Sequence, residues 1–289
     1  MGFALQAFPR FKHTRLAYPR LGYATLWMML GGLTCRSVFE PLAGWWPPAG
    51  LLAATASAVE IAAIGTFVVV ILATFRSAPR RLEFYDYYIL AALAWFVVQA
   101  VYETAYLGAT LRVQDRHRLL ELVATWQAPL REIQLYGFAM LMILGVSQRV
   151  FHYFYGFPRP SGRVSLAVLP AINAGVLGMA AGWLAMQLVG HQWGLLWYAS
   201  MVLLAGSVTI LVANWHLLRR PAESDRSLKF LRTAYVWLFV SVAMLVLLPA
   251  YQYISYCPGL RRKARPPKSD SLTPITGQSG TPSPWASSA

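Results

Sequence analysis

The chain has 289 residues and a formal net charge of +14, but only 12% of its residues are charged and 57% are hydrophobic. This composition excludes an ordinary soluble enzyme or binding domain. Successive apolar runs of about twenty residues indicate a membrane protein with several spans, so its expected partner is the lipid bilayer. In such a chain loop arginines and lysines orient the spans, and the positive charge does not indicate binding to nucleic acid.

The hydropathy pattern predicts an all-α bundle of transmembrane helices at 21–254, between a basic N-terminal segment, 1–20, and a polar tail, 255–289. Seven spans are predicted: Leu21–Gly44, Gly50–Phe75, Tyr87–Ala109, Arg131–Phe154, Val164–Val189, Trp193–Leu217 and Leu231–Ile254. Basic residues concentrate in the segments on the N-terminal side of the membrane, which predicts a cytoplasmic N-terminus. The segment between the third and fourth spans, 110–130, is interpreted as an external loop that contains a short surface helix.

Four ionisable residues lie inside the first three predicted spans, where each costs about 2.5–3.5 kcal/mol unless it has a partner. Arg36 and Glu60 lie at a similar depth on adjacent helices, Glu40 is one turn from Arg36, and Glu103 has Gln99 one turn below it. One interpretation is a polar cavity that carries protons or binds a ligand; the other is structural ion pairing between helices. Because glutamates outnumber the arginine, at least one carboxyl needs another partner or a proton.

The segment 126–160 has the clearest helical periodicity in the chain. At 100° per residue, one stripe contains Gln134, Leu141, Gly145, Gln148 and His152, and the opposite side contains Ala139, Ile143, Val146 and Val150. The first set is predicted to face protein and the second to face lipid. Because Gly145 lies in the buried stripe, a neighbouring helix is expected to approach closely there.

The same helix resembles a signature helix of NnrS-type bacterial membrane proteins. The resemblance rests on Arg131, Glu132, Ile133 and Gln134, then Gly137 and Phe138, then Leu144–Arg149 with Gly145, Gln148 and Arg149, and Gly156. A weaker similarity extends from Arg232–Tyr235 to Leu248–Ala250. That family is multi-spanning, contains haem and copper, and is linked to nitric oxide metabolism and nitrosative stress. The resemblance implies the same class of function in a bacterial inner membrane.

His152 and His216 are the candidate cofactor and metal ligands. Each ends a predicted helix that runs from the outside to the inside, so both fall at the cytoplasmic edge of the membrane. Two imidazoles at one level on different helices are what a bis-histidine haem requires. The alternative is two polar residues in the headgroup region. The spans contain too few histidines for the complete haem and copper set that the resemblance implies.

Three functions remain open at this stage. The first is an NnrS-like protein that binds haem or copper in nitric oxide handling, without a predicted catalytic residue. The second is a small-solute or proton-coupled transporter that uses Arg36, Glu60 and Glu103. The third is a membrane scaffold or sensor without a cofactor. The oligomeric state is also open.

The segment from Cys257 to the C-terminus is rich in proline, serine, threonine and glycine, with almost no large aliphatic residues. Such a composition cannot bury enough apolar surface to fold, so a disordered tail is expected. Its basic residues fall on the external side of a seven-span topology, against the charge rule. A frameshift or truncation relative to the NnrS family would explain this switch, and a native disordered tail is the alternative.

Overall fold

The computed structural model describes residues 1–12, 14–79, 82–216 and 226–256. Met1–Leu247 form one compact unit and Leu248–Ala289 a second. Across the described residues the chain is helical and contains no strand, which confirms the all-α prediction. The predicted tail from Cys257 lies outside these residues. The helices are α1 (Gly2–Lys12), α2 (Pro19–Leu42), α3 (Pro47–Arg76), α4 (Phe84–Arg112), α5 (Arg116–Glu132), α6 (Leu141–Tyr155), α7 (Gly162–Leu188), α8 (Gly194–Ala213) and α9 (Arg226–Tyr256).

Within the described residues, six helices are long and apolar enough to cross a membrane. They are Pro47–Arg76, Phe84–Arg112, Arg116–Tyr155, Gly162–Leu188, His191–Ala213 and Ser227–Leu247. The protein is therefore a multi-pass helical membrane protein. The first predicted span is also a helix, α2, whose 24 residues would reach about 36 Å. It is not among the six apolar helices, because its sequence is less hydrophobic and includes Arg36 and Glu40.

The two ends of the bundle are named here by their turns. The proximal end contains α1, the connecting residues 77–79 and 82–83, and the turn 156–161, and the distal end contains the turns 43–46, 113–115 and 189–193. α2 runs from the proximal to the distal end, and the helices that follow alternate in direction. The functional residues discussed below fall at one end or the other.

The segment 110–130, predicted to be an external loop that contains a short surface helix, is helical except at 113–115. α4 continues to Arg112, and a new helix begins at Arg116, where the Asp115 side chain accepts a hydrogen bond of 3.1 Å from the His117 backbone N–H. Such a cap satisfies a backbone N–H at the start of a helix. α5, a π-helical segment (Ile133–Met140) and α6 then form one helix of 40 residues. Its length of about 60 Å exceeds the thickness of a bilayer core.

The predicted buried stripe agrees with the structure better in α6 than in the π-helical segment. A fixed step of 100° per residue does not apply in a π-helix, and Gln134 inside this segment is only half-buried. Beyond it, Leu141, Gly145 and Gln148 are buried and Ile143 is 53% exposed, as predicted. His152 is half-buried. Three residues assigned to lipid are half-buried instead: Ala139, Val146 and Val150.

α4 is the central helix, because its two faces belong to two apolar clusters. On one face Tyr88, Ala92 and Trp95 pack with residues of α6, α7 and α8. On the other face Ile89 and Leu93 pack with α1 and α3. The close approach expected at Gly145 is made by α4, since a Cβ atom there would lie 3.0 Å from Tyr88 Cβ and 3.3 Å from the Ile89 backbone nitrogen. This contact positions the signature helix against α4.

Candidate functional site

Arg36 lies at the centre of a cluster of charged residues near the distal end. Its Nε is 3.1 Å from Glu40 Oε2, and its Nη1 is 3.2 Å from Glu60 Oε2 and 2.8 Å from Glu103 Oε1. One guanidinium thus joins α2, α3 and α4. The pairing follows from the antiparallel order of these helices, which places Arg36 and Glu60 at one depth. The arginine side chain is 13% exposed, so these ion pairs are largely removed from solvent.

The packing around Glu60 holds it against α2. A Cβ atom at Gly32 would lie 2.8 Å from Glu60 Cγ and 3.1 Å from the carbonyl oxygen of Ala56, so the two helices pack closely at this point. Ser57 and Thr104 form a 2.6 Å hydrogen bond that joins α3 to α4 nearby. These contacts favour a structural clamp, because both helices are already fixed around the arginine.

The Arg36 cluster nevertheless contains more carboxyl groups than basic groups. With all groups ionised, its three carboxylates and one guanidinium have a formal charge of −2. Among the described residues Glu60 Oε1 is buried and has no hydrogen-bond partner. Gln99, predicted to join this cluster, does not bond to it there, and its Oε1 is also buried without a partner. The cluster therefore retains acceptors for a proton, water or polar solute.

The signature residues of the NnrS resemblance do not form one site. Glu132 is buried and accepts a hydrogen bond from Trp197, whereas its neighbour Arg131 is exposed. Gly137 is covered by the Trp95 ring, whose Nε1 donates to Asn173 Oδ1 at 2.8 Å. Gln148 is buried and donates to the Leu144 carbonyl at 3.3 Å. Gln134 and Gly145 lie as described above, and Arg149 lies at the proximal end.

The sequence analysis missed a second charged cluster, at the proximal end. The N-terminal segment was expected only to be basic, but it contains α1, and Lys12 of this helix forms a buried ion pair with Asp86 of α4. Asp86 also accepts from the Glu83 backbone N–H at 2.7 Å. Arg149 donates to Tyr85 Oη at 2.7 Å and to the Phe11 carbonyl. The available signals were an acid directly before the third predicted span and a lysine in the basic N-terminal segment.

Arg149 also makes three aromatic contacts at this end. Its guanidinium carbon is 4.6 Å from the centre of the Phe11 ring, 5.2 Å from that of Tyr85 and 5.1 Å from that of Tyr153. Cations attract the faces of aromatic rings, and the attraction strengthens when both are desolvated. Together with the Lys12–Asp86 pair, Arg149 therefore attaches α1 to the bundle.

His216 lines a groove with a volume of about 800 Å³ between α8 and α9. The groove is mainly apolar, with Val212, Phe239 and Val240 in its walls, and its polar residues include Arg232. His216 lies in the turn that follows α8 and is exposed; it has a positive φ of 53°, and its Nδ1 lies 3.1 Å from the Asn214 carbonyl. A bond of that kind orients the ring and leaves Nε2 for another ligand.

His152 has a comparable arrangement at the end of α6 but does not line this groove. Its Nδ1 lies 3.0 Å from the Phe157 carbonyl, and its ring packs against Tyr153. Among the described residues no group of three or more His, Cys, Asp or Glu side chains forms a metal site. The prediction that His152 and His216 share one iron stays a prediction.

No family model, no curated protein and no solved structure matches this chain. The class of this protein therefore rests on its fold and its sites. It is a multi-pass helical membrane protein with a cluster of charged residues towards each end of the bundle.

Proposed function

We propose that this chain is an NnrS-like protein of the bacterial inner membrane that binds haem beside His216 and acts in nitric oxide metabolism or the response to nitrosative stress. The observation that carries the proposal is the α8–α9 groove, which combines apolar walls with an oriented imidazole and an arginine. The resemblance of the signature helix supplies the link to nitric oxide.

The donor set of the groove fits haem. His216 would ligate the iron through Nε2 while Nδ1 stays bound to the Asn214 carbonyl. Arg232 would pair with a propionate, since guanidinium and carboxylate form strong charge-assisted hydrogen bonds. The walls formed by Val212, Phe239 and Val240 would cover the apolar macrocycle and exclude water. Haem iron, once bound there, supplies a coordination position for nitric oxide.

The remaining expectations depend on the resemblance more than on geometry. His152 is the candidate for a second ligand to the iron, because its Nδ1 also lies beside a backbone carbonyl, near the end of α6. Copper is implied by the resemblance alone. Arg76, Arg159 and Arg163 lie in or directly beside the proximal turns, which supports a cytoplasmic proximal end and hence a cytoplasmic N-terminus.

The test is a visible absorption spectrum with metal analysis of detergent-purified protein expressed with a haem supply. We expect a haem spectrum in the parent chain and its loss in His216→Ala. His117→Ala and His191→Ala are matched controls, because these histidines lie at the distal end, and both should retain the spectrum. A parent chain without haem, or equal loss in all variants, would contradict the proposal.

A second candidate function is proton-coupled or small-solute transport through the Arg36 cluster. The observation in its favour is the surplus of carboxylates, together with the unpartnered Glu60 Oε1. A vesicle assay with a pH-sensitive dye would detect solute-driven proton movement, which Glu60→Gln should abolish. Exposed Glu121 is the control, and Glu121→Gln should leave transport unchanged. If neither haem nor transport is found, the cofactor-free scaffold or sensor remains.

A further inference from the structure

Glu132 is a buried carboxyl that neither the haem proposal nor the transport proposal uses. It is the last residue of α5, directly before the π-helical segment, and only 9% of its surface is exposed. Its Oε1 accepts a hydrogen bond of 2.9 Å from Trp197 Nε1 of α8. Its Oε2 is buried and has no hydrogen-bond partner among the described residues.

The other buried carboxylates of the described residues differ from Glu132 in having a cation. Glu60 pairs with Arg36 and Asp86 pairs with Lys12, whereas no ion pair to Glu132 is found across the described ranges. The adjacent Arg131 is exposed, since successive residues of a helix point about 100° apart. A bare carboxylate in this position would lose its hydration without an opposite charge to replace it.

Among the described residues no ion pair brings a second charge to Glu132. Its charge acts on two titratable side chains, Tyr102 of α4 and Tyr136 of the π-helical segment. Trp197 of α8, which donates to it, packs against Trp183 of α7 with 5.5 Å between ring centres, and neither tryptophan titrates. A metal cation needs several oxygen or nitrogen ligands, and one carboxylate among aromatic rings does not provide them.

The Trp197 backbone packs closely against α7. A Cβ atom at Gly182 of α7 would lie 2.7 Å from the Trp197 backbone nitrogen, so α7 and α8 are in close contact at this residue. The residue that donates to Oε1 therefore lies at a tight helix–helix contact. π-helical turns are rare and occur frequently at functional sites, and this one begins at the residue after Glu132.

We propose that Glu132 is a proton-binding site in the distal half of the bundle. The carboxylate takes up one proton on Oε2 and becomes a neutral carboxylic acid, while Oε1 continues to accept from Trp197. The uptake neutralises the charge without a counter-ion, and release restores the carboxylate. The ligand is a proton and not a sodium ion, because the site has one carboxylate and aromatic neighbours.

The test is infrared spectroscopy of the detergent-purified full chain, in which a protonated carboxyl has a carbonyl stretch separate from the carboxylate bands. We expect this band at neutral pH in the parent and its loss in Glu132→Gln. It should persist in Glu121→Gln, whose carboxyl is exposed. Trp197→Phe removes the donor to Oε1 but keeps an aromatic ring, and it should shift the band to higher frequency.

Two results would overturn the proposal. One is a parent chain without a protonated carboxyl at neutral pH, or with a band that persists unchanged in both Glu132→Gln and Trp197→Phe. The other is a band that appears only when sodium is withdrawn, which would make the site a cation site. The shift in Trp197→Phe provides a test even where Glu132→Gln does not fold.

Discussion

The buried ion pair between Lys12 and Asp86 allows the sharpest test of the structure, because it joins the N-terminal helix α1 to α4 through paired charges. The Lys12 and Asp86 side chains are 1% and 2% exposed. Replacing Lys12 with methionine keeps the length of the side chain and removes its charge. Asp86 would then be a buried carboxylate without its cation.

Removing one member of a buried ion pair costs about 3–5 kcal/mol, since the remaining charge is left unpaired in a medium of low polarity. Lys12→Met should therefore lower the free energy of unfolding by about this amount. Asp86→Ala should cost about 1 kcal/mol more, because Asp86 also accepts from the Glu83 backbone N–H at the start of α4. The double variant Lys12→Met/Asp86→Leu should be more stable than either single variant, because it buries no unpaired charge.

The assay is thermal unfolding in detergent, combined with limited proteolysis of the N-terminal segment. Arg10→Met is the matched control, because Arg10 belongs to the same helix but is exposed, and this variant should melt like the parent. Lys12→Met should melt at lower temperature and should be cleaved faster before α2. Equal melting temperatures for Lys12→Met and Arg10→Met would refute the assigned contact between α1 and α4.

Three further predictions concern helix packing. Gly145→Leu should destabilise the protein by about 1–3 kcal/mol, because the leucine side chain would overlap α4. Ile143→Leu, at an exposed position, should leave the melting temperature nearly unchanged in the same assay. Arg36→Met should lower the melting temperature more than Glu103→Gln does, since three carboxylates lose their shared partner; equal effects would show that the cluster is not a clamp. Tyr88→Phe removes the 2.7 Å hydrogen bond to the Ser165 carbonyl and should lower the free energy of unfolding by about 1–3 kcal/mol. Chemical unfolding measures this change, and an unchanged denaturant midpoint would contradict the hydrogen bond.

The Arg36 cluster shows why part of a candidate site could be read from sequence. Arg36 and Glu60 lie on consecutive antiparallel helices, so a rise of about 1.5 Å per residue is sufficient to place them at one depth. The depth of a residue along a helix does not say in which direction its side chain points. The prediction that Gln99 joins the cluster was therefore not met, and among the described residues its Oε1 has no hydrogen-bond partner. The Glu132–Trp197 contact was not predicted, because it depends on how α5 and α8 lie relative to α7.

The sequence by itself determined the all-α class and the approximate positions of the long helices, because local hydropathy and helical periodicity decide both. It also determined the buried face of α6, where the period is regular. Only the tertiary structure decided that 116–155 is one helix with a π-helical segment, since a pattern read at a fixed 100° per residue cannot show where the helix widens to i→i+5 hydrogen bonds. The same holds for Lys12 and Asp86, which lie 74 residues apart. No local pattern relates such residues, because the packing of α1 against α3 and α4 brings them together.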